Sequence, residues 1–157
     1  MSSGFLIQRI QLPAPGLDQM QAEARKDGYR FLDTLLDEWA DGKNRFDGAG
    51  EVLCGHFDSG LLIAVGGLNQ DQFLGDPKVG RIRRVYVRQA WRNCGIGGAL
   101  LDTLLGHAIA HFSSVRLRAE NSNAARLYER RGFVPIDSST ATHILRFNVA
   151  VSMGDRG

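Results

Sequence analysis

A short glycine-rich segment, Arg92-Asn93-Cys94-Gly95-Ile96-Gly97-Gly98-Ala99, stands between a strand-like run and a strongly apolar helix, and this placement constrains the rest of the chain. Ahead of it, Arg84-Val85-Tyr86-Val87 has the β-branched and aromatic content of a buried strand. Behind it, Ile96, Leu100, Thr103, Leu104, His107 and His111 share one helical face, which Leu101, Leu105, Ala108 and Phe112 broaden. Glycines let the backbone turn sharply and approach a ligand, and the first N–H groups of a helix have no internal acceptor. Strand, loop and helix together make an anion cradle, which suits a pyrophosphate.

Three glycine-rich patterns compete for this segment. A P-loop requires Gly-Lys followed by Ser or Thr, whereas Gly97 is followed by Gly98 and Ala99. A dinucleotide fingerprint requires a third small residue, and Leu100 stands there, although Glu120 does lie near the end of a later strand. The third pattern is Arg or Gln, two residues, Gly, one residue, then Gly or Ala. Arg92-Asn93-Cys94-Gly95-Ile96-Gly97 fulfils it throughout. Downstream, Val115-Arg116-Leu117-Arg118-Ala119 reads as a strand, and residues 121–133, with Asn121, Ala124, Leu127-Tyr128 and Gly132-Phe133, read as a short helix ended by Gly132.

These two blocks together resemble the GNAT (GCN5-related N-acetyltransferase) superfamily, closely so from about Gly80 to Pro135. The resemblance implies that the pyrophosphate of coenzyme A lies on the backbone N–H groups of Arg92, Asn93, Cys94, Gly95, Ile96, Gly97 and Gly98. It implies that Val85, Tyr86 and Val87 pair with the pantetheine amides as a neighbouring strand would. It also implies that Asn121 and Ala124 border the pantetheine arm and that Tyr128 stands near the thioester sulfur as proton donor. General chemistry asks for the same parts: transfer from a thioester to an amine needs a neutral nucleophile, a stabilised oxyanion and a protonated leaving thiolate. A tyrosine hydroxyl can supply that proton.

The chain departs from the family pattern in two places. Asn93 stands where many members carry Gly, a substitution that a positive φ tolerates better than most. Some members carry a carboxylate base early in the strand before the loop, where this chain has Arg81, which is no base at neutral pH. Glu38, Asp71 and Asp76 are candidates by position alone, but each reads more readily as a solvated surface carboxylate, and none is singled out as the base. Cys94 reads as a solvent-facing loop filler.

At 157 residues the chain suits one domain, 1–157, with a loose tail from about Ser152. Four dispersed histidines give no metal motif, since His107 and His111 have helical spacing but lack the Glu of a zinc protease site. No metal is expected, and acetyl-CoA enters as co-substrate. Two cysteines, Cys54 and Cys94, argue against a disulfide framework and for a reducing compartment, the cytoplasm. Phe5-Leu6-Ile7 is interrupted by Gln8-Arg9, so no signal peptide is expected, and no apolar run is long enough for a bilayer. A net charge of +2 does not imply nucleic acid, and the arginine clusters lack interleaved aromatics for base stacking. Arg81 and Arg83 alternate as on a solvated face of a strand, and a groove lined by arginines also suits the phosphates of coenzyme A.

The elements follow in the order β-α-α-β-β-β-α-β-α-β-β. Strands are expected over Leu6 to Gln11, Glu51 to Phe57, Gly60 to Leu68, Phe133 to Ile136 and His143 to Val149, besides those flanking the glycine loop. Helices are expected from Leu17 to Gly28 and from Tyr29 to Ala40, the latter ended by Gly42, and Gly66-Gly67 marks a bulge or a close approach. The expected fold class is α/β (α+β mixed sheet): a central twisted mixed sheet flanked by helices.

The superfamily places the acceptor beside the loop after the second helix. Trp39 and Phe46 are the candidate walls of an amine site and Asn44 and Arg45 the candidate polar contacts, with Asn69 behind them; the same residues also read as core and turn. The leading function is acetyl-CoA-dependent N-acetyl transfer directly to a primary amine. A non-catalytic acyl-CoA binding or sensing domain is the alternative, and a protein-interaction or RNA-binding module of the same fold is the third. The resemblance also allows a homodimer.

Overall fold

The computed structural model describes residues 5–147. Its seven strands form one sheet in the order β1-β2-β3-β4-β5-β7-β6. In chain order the elements are β1 (Gln8–Arg9), α1 (Leu17–Lys26), α2 (Phe31–Asp41), β2 (Val52–Asp58), β3 (Leu61–Gln70), β4 (Val79–Val87), α3 (Ile96–Ile109), β5 (Ser114–Leu117), α4 (Ser122–Arg130), β6 (Val134–Pro135) and β7 (His143–Arg146). Every neighbouring pair is antiparallel except β4 and β5. The element order matches the one read from the sequence. The outer strands are shorter than expected: the run from Leu6 shrinks to two paired residues. Residues 148 and 149 and the tail from Ser152 lie outside the described residues.

Local chemistry accounts for most boundaries. In α1, Met20 and Ala24 fall one turn apart on the buried face, Asp18 lies in the first turn, and Arg25 and Lys26 close the last, as the helix dipole favours. Gly42 ends α2 in the left-handed conformation, its N–H bonded to Trp39 O. β2 and β3 join through Ser59-Gly60, both at positive φ, a two-residue turn whose twist matches that of the strands.

Both faces of the sheet are covered. On one side α3 lays Leu100, Leu101, Leu104 and Ala108 against Val52, Leu68, Ile82 and Val115. On the other, α1 and α2 bring Met20, Ala24, Leu32 and Leu35 onto Leu53, Leu62, Val65 and Tyr86. β3 runs between these layers and is buried from Leu62 to Asn69. Each fully covered Leu contributes roughly 1.5–3 kcal/mol by its removal from water.

Two irregularities open the sheet at its centre. Val65 pairs with Tyr86 and Gly67 with Arg83, so Gly66 faces both Arg84 and Val85. The extra residue belongs to β4, and Arg84 takes a left-handed φ of 62° to accommodate it. The expectation for Gly66-Gly67 is thus met from the opposite strand. β4 and β5 pair only at Val79/Ser114, Gly80/Val115 and Arg81/Arg116. Beyond Arg81 the two strands diverge, leaving the β5-facing edge of β4 from Ile82 to Val87 without a strand partner.

At the closed end of that divergence the alternation reading fails. Arg81 is not on a solvated face, and Asp71 is not a surface carboxylate: they are 7% and 1% exposed. One Asp71 oxygen lies 3.3 Å from Nη1 of both Arg81 and Arg116. Arg81 also donates to Thr140 O, and Arg116 to Ser138 Oγ and Thr140 Oγ1. Buried charges survive only when paired and hydrogen-bonded, and this cluster satisfies both conditions.

Candidate active site

The gap between β4 and β5 continues into a cavity of ≈ 560 Å³ bounded by β4, the loop before α3, and α4. Val85, Tyr86 and Val87 form its strand wall. Arg92, Asn93, Gly95, Gly97 and Gly98 form its floor, and Asn121, Ala124, Leu127 and Tyr128 its far side. Asn93 and Gly95 adopt left-handed φ values of 62° and 97°, which turns the chain sharply into α3. The first helical bond of α3 runs from Ala99 N to Gly95 O, so the N–H groups of Ile96, Gly97 and Gly98 have no helical acceptor. A Cβ on Gly98 would lie 2.4 Å from Arg131 Nη2, whereas at Gly97 the nearest atom is 3.4 Å away.

Not every loop residue turns its side chain toward the cavity. Ile96 is buried against Ile63 and Ala64. Cys94 is exposed and its Sγ–H donates to Trp91 O. Neither of these two residues lines the cavity.

Arg92 is held in place: Nε donates to Val87 O at 2.7 Å, Nη2 lies 3.4 Å from Asp27 Oδ2, and the guanidinium sits 5.2 Å from the Tyr86 ring centroid. It ties the loop to the end of β4. The Tyr86 hydroxyl donates to Glu23 Oε2 at 2.7 Å, with Asp27 Oδ2 at 3.1 Å. Burial and these carboxylates raise its pKa well above the ordinary phenol value.

On the far wall, Asn121 is the N-cap of α4, its Oδ1 accepting from Ala124 N at 2.9 Å. Its Nδ2 donates to Tyr29 Oη at 3.1 Å, bridging α4 to the start of α2 across the cavity. Tyr128 lies one turn before the end of α4, only 6% exposed, with its ring edge-on to Phe133. Burial, with a smaller contribution from Glu120, pushes its pKa up to about 12.

A second cavity of ≈ 210 Å³ adjoins the first. Phe31, Val85, Glu120 and Tyr128 line both. The smaller one adds Arg81, Arg83, Arg84 and Arg118, with Gln72 and Phe73 from the loop after β3. Tyr29, Phe31 and Glu120 were not among the sequence candidates, and the arginines were read as a solvated strand face or a groove for the coenzyme A phosphates. Glu120, a carboxylate directly after a strand and before Asn121, carried a local signal; Tyr29 and Phe31 come in at the start of α2, Arg83 and Arg84 with the β4 bulge, and Arg118 from just past the end of β5.

Trp39, Asn44, Arg45 and Phe46 line neither cavity. Trp39 packs at the edge of the core under α1 and α2. Arg45 Nε donates to Trp39 O, which also accepts from Gly42 N–H, and Nη2 donates to Ala40 O, so that the guanidinium covers carbonyls at the end of α2. Phe46 is buried in the notch left by Gly67, where a Cβ would come within 2.3 Å of its ring. Asn44 and Asn69 exchange reciprocal amide hydrogen bonds at 3.0 Å. Their partners are already supplied by the protein, which explains the structural role of this segment. Among the earlier carboxylate candidates, Glu38 pairs with Arg84 at 3.4 Å and Asp76 caps the turn at Lys78 N.

Among the described residues no cluster of three or more His, Cys, Asp and Glu side chains could hold a metal ion. No helix among the described residues is long and apolar enough to cross a membrane.

Similar proteins agree with this architecture. The sequence profile of the Acetyltransferase (GNAT) family matches residues 17–133. A protein from Exiguobacterium sp. 255-15 described as an acetyltransferase superposes with a TM-score of 0.82 at 23% identity, over 100% of this chain and 99% of that one. PH1933 from Pyrococcus horikoshii OT3 gives 0.71 at 21% identity, over 92% and 99%. Ard1 from Thermoplasma volcanium gives 0.64 at 19%, over 88% and 92%. No curated protein sequence matches significantly. With a diverging β4/β5 pair, a glycine turn capping α3, and a family profile that spans most of the molecule, the chain belongs to the GNAT family of acetyltransferases.

Proposed function

We propose that the protein transfers an acetyl group from acetyl-CoA directly to a primary amine, without an acyl-cysteine intermediate. The observation that carries this reading is the position of Tyr128, whose side chain lines the junction between the cavity reaching the α3 N-terminus and the cavity on its other side. In this reading the N–H groups of the loop from Arg92 to Gly98 hold the pyrophosphate. The free edge of β4 at Val85 to Val87 bonds the pantetheine amides as a strand would. The acyl carbon then lies beside Tyr128.

The reaction needs a proton removed and a proton supplied. The acceptor arrives as an ammonium ion with a pKa near 10, so it must lose a proton before attack. Glu120 lines both cavities and makes no hydrogen bond among the described residues, which suits it to take that proton and release it to solvent. The amine nitrogen attacks the thioester carbon, the C–N bond forms, and the charge on oxygen is met by N–H groups of the β4 edge. The C–S bond then breaks, the sulfur leaves against the Tyr128 hydroxyl, and the second proton shed by the amine nitrogen passes through that hydroxyl or solvent to give the free thiol.

With its pKa at about 12, Tyr128 keeps its proton throughout the neutral range. It is a weaker acid than a thiol near 8.5, so hydrogen bonding to the developing thiolate outweighs complete proton transfer. Tyr128→Phe is therefore expected to lower kcat by about 10²-fold, the lower end of general-acid effects. The test is acetyl-CoA-dependent thiol release over an amine panel, beside thermal stabilisation by coenzyme A and acetyl-CoA. Retained stabilisation with lost turnover in Tyr128→Phe supports the assignment; unchanged turnover removes Tyr128 from the chemistry. Binding of both coenzyme forms with no turnover of any amine by the wild type favours the non-catalytic alternative.

A further inference from the structure

The smaller cavity carries more positive charge than the protein itself balances. Arg81, Arg83, Arg84 and Arg118 line it, and among the described residues Glu120 is the only acidic one that does. Asp71 is shared between Arg81 and Arg116. Glu38 reaches one nitrogen of Arg84, while Arg84 Nε–H is buried with no acceptor among the described residues. The Arg83 side chain has no hydrogen bond or ion pair among the described residues; Glu38 and Asp71 act on it only at a distance. Burial, reinforced by repulsion from Arg84, lowers its pKa to about 10, still high enough for it to be a cation at neutral pH.

A half-buried guanidinium without a partner is costly to maintain, and an unsatisfied buried N–H adds to that cost. The β4 bulge is what gathers these groups. Ile82 and Val85 pack under α3, while Arg81 and Arg84 bond toward the opposite face; the extra residue lets the consecutive Arg83 and Arg84 both line the cavity. The coenzyme phosphates do not account for this charge, because no residue of the loop from Arg92 to Gly98 and none of α3 lines this cavity. Phe31 and Phe73 flank the site, and the Arg81 guanidinium lies 5.0 Å from the Phe73 ring centroid.

Resting on the transferase reading above, we propose that the acceptor is a small amine that carries its own anionic group, a carboxylate or a phosphate. Arg83 and the free Nε–H of Arg84 bind the anion, and Glu120 faces the ammonium. A polyamine or another polycation is excluded by the same charges. Guanidinium groups suit either anion, since their planar donors match two oxygens at once.

The experiment uses the full chain with acetyl-CoA and pairs of amines that differ only in the anion: glycine against glycinamide, β-alanine against its amide, and O-phosphoethanolamine against ethanolamine. Spermidine serves as the polycation. The proposal expects the anionic member of at least one series to exceed its neutral partner by about tenfold or more in kcat/KM, as one charge-assisted hydrogen bond permits. The series that responds identifies carboxylate or phosphate as the anion. Arg83→Gln should bring the ratio close to unity by raising KM for the anionic member alone, with KM for acetyl-CoA unchanged, and Arg83→Lys should restore part of it. Preference for neutral or polycationic amines, or a ratio indifferent to Arg83→Gln, overturns the proposal.

If no amine turns over, calorimetric titration of the coenzyme A complex with N-acetylglycine, N-acetyl-β-alanine and N-acetylated O-phosphoethanolamine decides separately. Saturable binding that Arg83→Gln removes sustains the anion site while the transferase reading falls. No binding of any of the three, with coenzyme A still bound, overturns the anion site. Arg83→Gln deletes an uncompensated charge and should fold at least as well as the parent, which its Tm checks.

Discussion

In the proposed reaction Glu120 and Tyr128, which line the same two cavities, have opposite tasks, and their surroundings differ. Tyr128 is almost wholly buried and keeps its proton; Glu120 is exposed and makes no side-chain hydrogen bond or ion pair among the described residues. If Glu120 takes the acceptor's proton, Glu120→Gln should lower kcat/KM by about 10²-fold at neutral pH. The loss should shrink as pH rises, because a growing share of the amine is already neutral, and KM for acetyl-CoA should stay unchanged. A pH-rate profile parallel to the wild type would assign the proton to solvent instead. The two cysteines differ in the same environmental way: burial raises the Cys54 thiol to about 11, whereas Cys94 lies exposed in the loop.

At the scale of elements, the loop before α3 is fixed to α1 by charge. Glu23 of α1 accepts from the Tyr86 hydroxyl, from Gln89 N–H and from Arg88 Nε. Burial alone would raise the Glu23 pKa, but these donors outweigh it and the net shift is downward from 4.5. A carboxylate with a lowered folded-state pKa adds stability that is present above its unfolded pKa and lost as pH falls through the folded one. Glu23→Gln should therefore lower Tm at pH 7 and flatten the fall in Tm below about pH 4.5. The same substitution frees Arg88 and the start of the loop, so affinity for acetyl-CoA should weaken with it. A Tm profile with undiminished acid sensitivity would show that other carboxylates govern that range.

For the whole molecule, the sheet and α3 form the layer on which the site depends. Leu100 is fully buried among Leu68, Ile82 and Val115 and lies on the helix whose first turn floors the cavity. Leu100→Ala should destabilise the fold by about 2–5 kcal/mol, measured by denaturant unfolding, because it leaves a cavity as well as losing apolar contact. Saturation with acetyl-CoA, at about a hundred times Kd, should recover roughly 2.7 kcal/mol of that loss through mass action alone. A loss below 1 kcal/mol would mean that the layer repacks around the gap.

Much of this was readable from neighbouring residues. The glycine turn, the helix that follows it, the N-cap at Asn121 and the helix carrying Tyr128 are short-range features, set by φ preferences, capping and apolar spacing within a few positions of one another. The element order and the mixed sheet follow from the same periodicities. Tertiary structure decided the rest. The alternation of Arg81 and Arg83 predicted solvent, but Asp71 and Arg116 close over Arg81 from distant parts of the chain. Trp39 to Phe46 had the composition of a binding loop, yet Gly67 and Asn69 engage Phe46 and Asn44 from the neighbouring strand. A carboxylate, guanidinium or ring signals its chemistry in the sequence, whereas its availability depends on partners whose separation along the chain is unrelated to their distance in space. For the arginines beside Tyr128, one extra residue in β4 and the reach of α2 determined which stayed unpaired.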